Sequence, residues 1–303
     1  MIKKRILSKK VIKACFVTLI LAIFAILFLM PIVLTVTNSF MAKSEISANY
    51  GAIFGASKST VNTGSNAVIF KRVNLKFIPD MVSFSQYVSV LFKSPDYLMK
   101  FWNSVIYVIP IVFLQVMVSV GAAYGLSRVR RKWKEVVFFI YIVLMLMPYQ
   151  VTLVPNYIIA DKLHLINTNW AIWLPGIFSP FAVYILTKYM RRIPTSVIEA
   201  AEIDGCKEND IFWKIAFPLS KGAMVSVGIL IFIDYWNMVE QPVILLTDEA
   251  KHPLSVFLSK INQGEIGLAF AVASIYMFLP MFIFLYGEDY LVEGISYQGG
   301  VKG

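Results

Sequence analysis

Asp234, Asn237 and Gln241 recur at three- and four-residue spacing inside the apolar run Gly222 to Leu246, and Glu240 follows about a third of a turn away. On a helix this spacing makes one polar stripe, whose carboxylate and amide groups can exchange hydrogen bonds with a hydroxyl-bearing solute. The same groups can equally bond another helix or a second subunit, and both readings stand. A carboxylate near the centre of a bilayer costs about 2.5–3.5 kcal/mol on insertion scales, so Asp234 is expected to face a bundle interior or a watery cavity. Gln150 and Thr152, between Pro148 and Pro155, offer either a second polar patch or a proline-kinked packing site, and Gln115 has the same two readings.

Catalytic and metal-binding patterns are missing. There is no GxxxxGK[ST] phosphate loop, HExxH, GxSxG or CxxC motif. The two histidines, His164 and His252, lie far apart and are expected to be solvated or locally hydrogen-bonded. No catalytic residue, metal or cofactor is therefore assigned to this chain. Cys15 and Cys206 fall in different predicted compartments and read as structural rather than as a disulfide.

The elements that carry these residues are set by hydropathy. Over 303 residues, 58% are hydrophobic, 15% are charged and the mean hydropathy is +0.70, so the expected solvent is a bilayer. Eight of the prolines sit in apolar stretches, which neighbouring membrane helices tolerate better than a soluble core does. The net charge of +10 comes from basic residues clustered beside apolar runs, which argues for membrane topology and against nucleic acid.

Runs of about 20 apolar residues predict spans at Ala14–Val36, Ser104–Leu126, Val136–Ile159, Asn169–Thr187 and Ile266–Gly287, with Gly222–Leu246 as a sixth. The fold class is an all-α membrane protein of six transmembrane helices. Lys3, Lys4, Arg5, Lys9, Lys10 and Lys13 precede the first run, which is long for a signal peptide and reads as an anchor. The positive-inside rule puts that N-terminus, the Arg128–Lys134 loop and Lys188, Arg191 and Arg192 in the cytoplasm, with both termini inside. Residues 1–13 are then a basic tail, 37–103 an outer segment, 104–291 the main bundle and 292–303 a cytoplasmic tail. Within the outer segment, Ser44–Ser65 is a polar stretch and Phe84–Phe101 an amphipathic helix, packed as a connector, laid along the membrane surface or placed to receive an external partner.

Between the fourth and fifth spans, Ile193–Lys221 reads as two short helices. Ser196 and Glu199 have capping-box spacing, Gly205 is placed to close the first helix, Asp210 is placed to cap the second and Pro218 to stop it. Small Ala200 and Ala201 allow close approach of another surface. A docking helix and a plain interfacial connector both remain open on these residues.

The run Glu199-Ala200-Ala201, then Asp204-Gly205, Ile215 and Pro218, resembles the EAA signature of binding-protein-dependent ATP-binding cassette importer permeases. Phe217 stands where a leucine usually precedes the proline. The likeness extends to Asn103-Ser104, to Ala122–Arg128, to Pro148–Pro155, to Trp236-Asn237 and to the terminal Gly299–Gly303, and is greatest to the smaller permease subunit of maltose-type carbohydrate importers. Residues 43–80 look like an insertion relative to shorter members.

This resemblance implies that Glu199, Ala200, Ala201, Asp204, Gly205, Ile215 and Pro218 form a cytoplasmic coupling helix and its support, seated on an ATPase subunit. It implies that Gly300, Val301, Lys302 and Gly303 reach that subunit too. Trp236 and Asn237 are shared with the family, whereas Asp234 and Glu240 are not part of its general pattern. Trp236 and Asn237, with Asp234, Gln241, Gln150 and Thr152 read from the residues themselves, are the candidates for the substrate path. The implied partners are a second permease subunit, two ATPase subunits holding ATP and Mg, an external solute-binding protein and membrane lipid, in a bacterial-type cell membrane. The implied cargo is a mono- or oligosaccharide, with an amino acid, peptide or polyol as the alternative. An ion-coupled secondary transporter would show an internal repeat and paired intramembrane charges. An intramembrane enzyme would need apposed acids or a nucleophile and base. Neither pattern is seen in the sequence.

Overall fold

The computed structural model describes residues 9–55, 75–129, 133–260 and 266–296. In chain order the helices are α1 (Lys9–Asn38), α2 (Lys43–Gly55), α3 (Ser85–Val88), α4 (Pro95–Arg128), α5 (Trp133–Leu146), α6 (Tyr149–Lys162), α7 (Asn169–Gly176) and α8 (Pro180–Met190). There follow α9 (Thr195–Ile203), α10 (Glu208–Ile211), α11 (Phe217–Leu219), α12 (Lys221–Trp236), α13 (Glu240–Leu245), α14 (Leu254–Ser259) and α15 (Ile266–Ser296). No strand occurs among the described residues, which contain a single isolated bridge between Met41 and Val82.

Lys13–Asn38, Pro95–Arg128, Asn169–Met190 and Gly267–Leu291 are each long and apolar enough to cross a bilayer. Two bent pairs, α5 with α6 and Glu208–Leu219 with α12, raise the number to six if each is one span. The chain divides into two compact units, Met1–Pro95 with Ile261–Ile275 and Asp96–Lys260 with Tyr276–Gly303.

In the first unit α1 is apolar beyond Lys13 for most of its length, and Thr35 Oγ1 donates a 2.8 Å hydrogen bond to the Pro31 carbonyl of its own helix. The polar stretch expected after residue 44 is in part helical. α2 buries Ile46 and Tyr50 with Met41, and Tyr50 packs against the Phe270 ring. Glu45 accepts from the backbone N–H groups of Asp80 at 2.8 Å and Met81 at 3.3 Å and pairs with Lys76 at 3.1 Å. The two ends of the 43–80 segment are thereby tied together, while its middle lies outside the described residues. The amphipathic run expected from Phe84 to Phe101 is not one helix. It breaks at Ser94, after a π turn over Ser89–Lys93, because Pro95 can only open a new helix.

In the second unit Tyr107, Ile111, Val120, Ile172, Leu186, Ile211 and Leu245 belong to one buried core. Two expected spans depart from straight helices. The third bends by 94° between α5 and α6 because Pro148 holds an extended backbone at φ −64°, ψ 142°. The fifth stops at Trp236 and resumes only at Glu240. Three carbonyls around that stop have side-chain donors: Tyr276 Oη–H to Trp236 O, Ser255 Oγ to Met238 O at 2.5 Å and Asn237 Nδ2 to Ile233 O at 2.8 Å. Asn103 and Ser104, at the start of the apolar part of α4, also hold backbone: Asn103 Nδ2 donates to Ala250 O at 2.8 Å and Leu254 N–H donates to Ser104 Oγ at 3.0 Å.

Candidate functional site

The Ile193–Lys221 loop folds into α9, α10, a π turn over Phe212–Ala216 and α11. α9 closes on Gly205 at φ +78°, where an L-residue is strained. Cys206 N–H donates to Ala201 O at 3.0 Å and Gly205 N–H to Glu202 O at 3.1 Å, the paired bonds of a Schellman cap. Two expected caps are absent. Pro194 occupies the N-cap of α9 without a side-chain bond, so Ser196 lies inside the helix, and Lys207 rather than Asp210 precedes α10. Asp210 instead pairs with Lys214 at 2.7 Å. Helix continues past Pro218 to Leu219. The wide π turn, with Phe217 N–H bonded to Phe212 O, makes room for a proline that would clash with the carbonyl four residues back.

The two sides of α9 differ in burial. Ile198 and Ala201 are buried, which anchors α9, while Glu199, Ala200, Ile203 and Asp204 lie on the exposed side. Ile203 is 86% exposed, an unusual state for isoleucine at the centre of a patterned loop. Ile215 is half-buried and Pro218 exposed. The bonds that hold this loop to a span come from residues to which the sequence reading assigned no such role. Arg128, the last residue of α4, bonds Glu202 and donates from Nε to Glu208 Oε1 at 2.8 Å. Tyr124 Oη–H reaches the same Glu208 oxygen at 2.9 Å. The available signal was one arginine at a span end and two glutamates flanking Gly205.

A second site lies at the break after α12. A cavity of about 500 Å³ is lined by Tyr149, Ile233 to Tyr235 and Asn237 to Gln241. The stop at Trp236 resets the helical register, so the stripe drawn from 3.6-residue spacing is corrected. Asp234, Asn237 and Glu240 are exposed to the cavity, whereas Gln241 is 4% exposed and turns its Nε2 to Ile172 O at 3.3 Å. Gln150 Nε2 donates to both Glu240 oxygens at 3.1 Å, joining α6 to α13. Thr152 is turned away, bonded to Tyr149 O of its own helix at 2.8 Å.

Trp236 is fully buried and stacks between Phe232 and Tyr276 at 5.2 and 5.1 Å, so it stiffens the wall and does not line it. Among the described residues no lysine or arginine lines the cavity. Tyr149, an aromatic wall residue, was singled out in the sequence only as part of the Pro148–Pro155 run. His252 is buried with its ring bonded to Leu246 O at 3.0 Å, in keeping with a local role. Gly300 to Gly303 lie outside the described residues.

Residues 115–296 match the family described as binding-protein-dependent transport system inner membrane component. The arabinooligosaccharides transport system permease protein AraQ of Halalkalibacterium halodurans is 30% identical over 236 residues, covering 76% of this chain and 84% of the relative. The lactose transport system permease protein LacG of Rhizobium radiobacter is 27% identical, covering 71% of this chain and 79% of the relative. A solved bacterial ATP-binding cassette transporter involved in import of the acidic polysaccharide alginate has a chain of similar fold, with a TM-score of 0.76 over 94% of this chain and 98% of that one at 21% identity.

Proposed function

Because the chain belongs to the family of binding-protein-dependent transport system inner membrane components, we propose that it is the permease subunit of an ATP-binding cassette importer for a mono- or oligosaccharide. The observation that carries this reading is α9, anchored through Ile198 and Ala201 while it presents Ala200 and Ile203 outward. That exposed face is the docking surface for an ATPase subunit. The chain has no phosphate loop of its own, so ATP and Mg are held by that partner. A second permease subunit and an external solute-binding protein complete the complex. The basic N-terminus, the loop after α4 and the α9 loop lie in the cytoplasm on the positive-inside rule, and Gly300 to Gly303 reach the ATPase.

In this reading nucleotide-driven closure pushes α9, and the Schellman cap makes it move as a rigid piece. Arg128 passes the displacement to α4 through Glu202 and Glu208. The bends between α5 and α6 and after Trp236 are where the bundle changes shape, and the cavity between them opens to one side and then the other. Asp234, Asn237 and Glu240 exchange hydrogen bonds with the hydroxyls of the passing sugar. With two carboxylates and no cation on its described wall, this cavity suits a neutral saccharide rather than an acidic one. The carbohydrate assignment draws on the relatives named for arabinooligosaccharide and lactose transport.

The test is uptake by proteoliposomes containing the full complex with its binding protein, using arabinooligosaccharides, lactose, an amino acid and a peptide as cargo. ATP-dependent saccharide uptake is expected, and Ile203→Asp is expected to abolish it while the two permeases still assemble. Uptake that ignores ATP would overturn the class. Uptake confined to the amino acid or peptide would overturn the cargo.

A further inference from the structure

Glu240 and Gln241 open α13, and each ties it to a different helix. Gln241 is buried and its Nε2 bonds Ile172 O of α7, while the far end of α13 is held by Asn167 N–H, which donates to Leu245 O at 2.8 Å. Breaking the buried Gln241 bond would strand polar groups away from water. The Glu240 bond is of another kind. Glu240 and its partner Gln150 are both exposed, so each can find a new partner when the other leaves. One amide nitrogen serves both carboxylate oxygens at 3.1 Å, and two acceptors on one carbon subtend too small an angle for both bonds to be straight. No other side chain among the described residues bonds Glu240. The place of the bond is also particular. Gln150 is the second residue of α6, just past the 94° bend, and Glu240 is the first residue of α13, just past the stop at Trp236, so one bond spans both breaks.

We propose that the Gln150–Glu240 bond is a cargo-responsive latch: without cargo it clamps α6 to α13, and two hydroxyls of an entering saccharide take over the Glu240 carboxylate and release it. The inference rests on the reading of the cavity as a saccharide path, whose wall includes Glu240. The exchange is favourable in its geometry. Each sugar hydroxyl donates to one carboxylate oxygen in line, two straight bonds replace a shared one, and the freed Gln150 amide turns to water or to a sugar oxygen. Gln241 keeps α13 seated on α7 meanwhile, so α13 pivots and does not detach. The breaks spanned by the latch are the places where the bundle changes shape. A closed latch therefore resists the closure of the ATPase subunits, and cargo in the cavity removes that resistance. Gln150 is on this account a positioning residue, which acts on the sugar through Glu240.

The test measures ATP hydrolysis by the full complex with its binding protein in proteoliposomes, first without saccharide and then with arabinooligosaccharides and with lactose. Gln150→Leu, which keeps most of the volume and removes the donor, is expected to raise saccharide-free hydrolysis about fivefold, the worth of one exposed charge-assisted bond. Added saccharide should then raise it little further. The reciprocal exchange of Gln150→Glu with Glu240→Gln rebuilds the amide–carboxylate bond in reverse and is expected to bring saccharide-free hydrolysis back toward the native rate. A saccharide-free rate unmoved by Gln150→Leu would overturn the latch. So would a reciprocal exchange that restores nothing, or loss of assembly in Gln150→Leu, which would make the bond a structural tie. ATP-dependent saccharide uptake by the native complex separates the two levels of the argument. Without that uptake the saccharide reading itself falls, whereas native uptake with an unmoved Gln150→Leu rate removes the latch alone.

Discussion

Gly205 does its work through its backbone. At φ +78° it closes α9, and the space around it is open, so a side chain there would meet no atom within 4 Å. Gly205→Ala should therefore cost only the left-handed strain, about 1–2 kcal/mol, and Gly205→Asn less. Thermal unfolding of the purified complex measures the stability cost, and uptake should fall in the same order, Ala below Asn below Gly. Asp234 shows the opposite logic, because it makes no hydrogen bond or ion pair among the described residues and faces the cavity. Asp234→Asn should cut saccharide uptake by about tenfold, the value of one charge-assisted hydrogen bond, and leave assembly intact. Loss of assembly would mean that Asp234 bonds the second permease.

At the level of elements, two joints decide how the bundle is held. Arg128 ties α4 to both α9 and α10, and its planar fork serves two carboxylates at once. Arg128→Ala should lower the stability of the loop by about 1–2 kcal/mol, discounted for its partial exposure, and should uncouple ATP hydrolysis from uptake. Arg128→Lys should restore only part, since one ammonium cannot reproduce the fork. The second joint is the stop after α12, where Tyr276 supplies the donor for the Trp236 carbonyl. Tyr276→Phe leaves a buried carbonyl short of a partner and should cost about 1–3 kcal/mol, read as a lower midpoint of thermal unfolding in detergent.

Across the molecule, the unit that contains α1 and α2 carries polar ties of its own. Glu45 in that unit is held below its ordinary value of 4.5, chiefly by the Asp80 N–H, with Lys76 and the Met81 N–H helping to outweigh the opposing effect of burial. A lowered carboxylate stabilises when ionised, so these ties are intact above pH 4.5 and are lost as pH falls through the lowered value. Hydrogen exchange at the Asp80 amide should be slower in the native chain than in Glu45→Ala near neutral pH. Compared at equal pH, the two should converge in acid below that value.

The solvent, the number of spans and the presence of a patterned loop were all legible in the amino-acid order, because hydropathy over about 20 residues and the φ preference of glycine are local properties. The same residues carried the resemblance that identified Glu199 to Gly205. Which side of α9 is free depended on packing, since Ile198 and Ala200 differ in what lies against them. Packing also brought Arg128 to its glutamates, which meet it across 74 and 80 residues of chain. It redrew the polar stripe as well. Spacing places Gln241 on the face of Asp234 only if the helix continues, and the stop at Trp236 is stabilised by Tyr276 and Ser255, which donate to the Trp236 and Met238 carbonyls. A periodicity cannot report its own interruption when the groups that stabilise the break come from other parts of the chain.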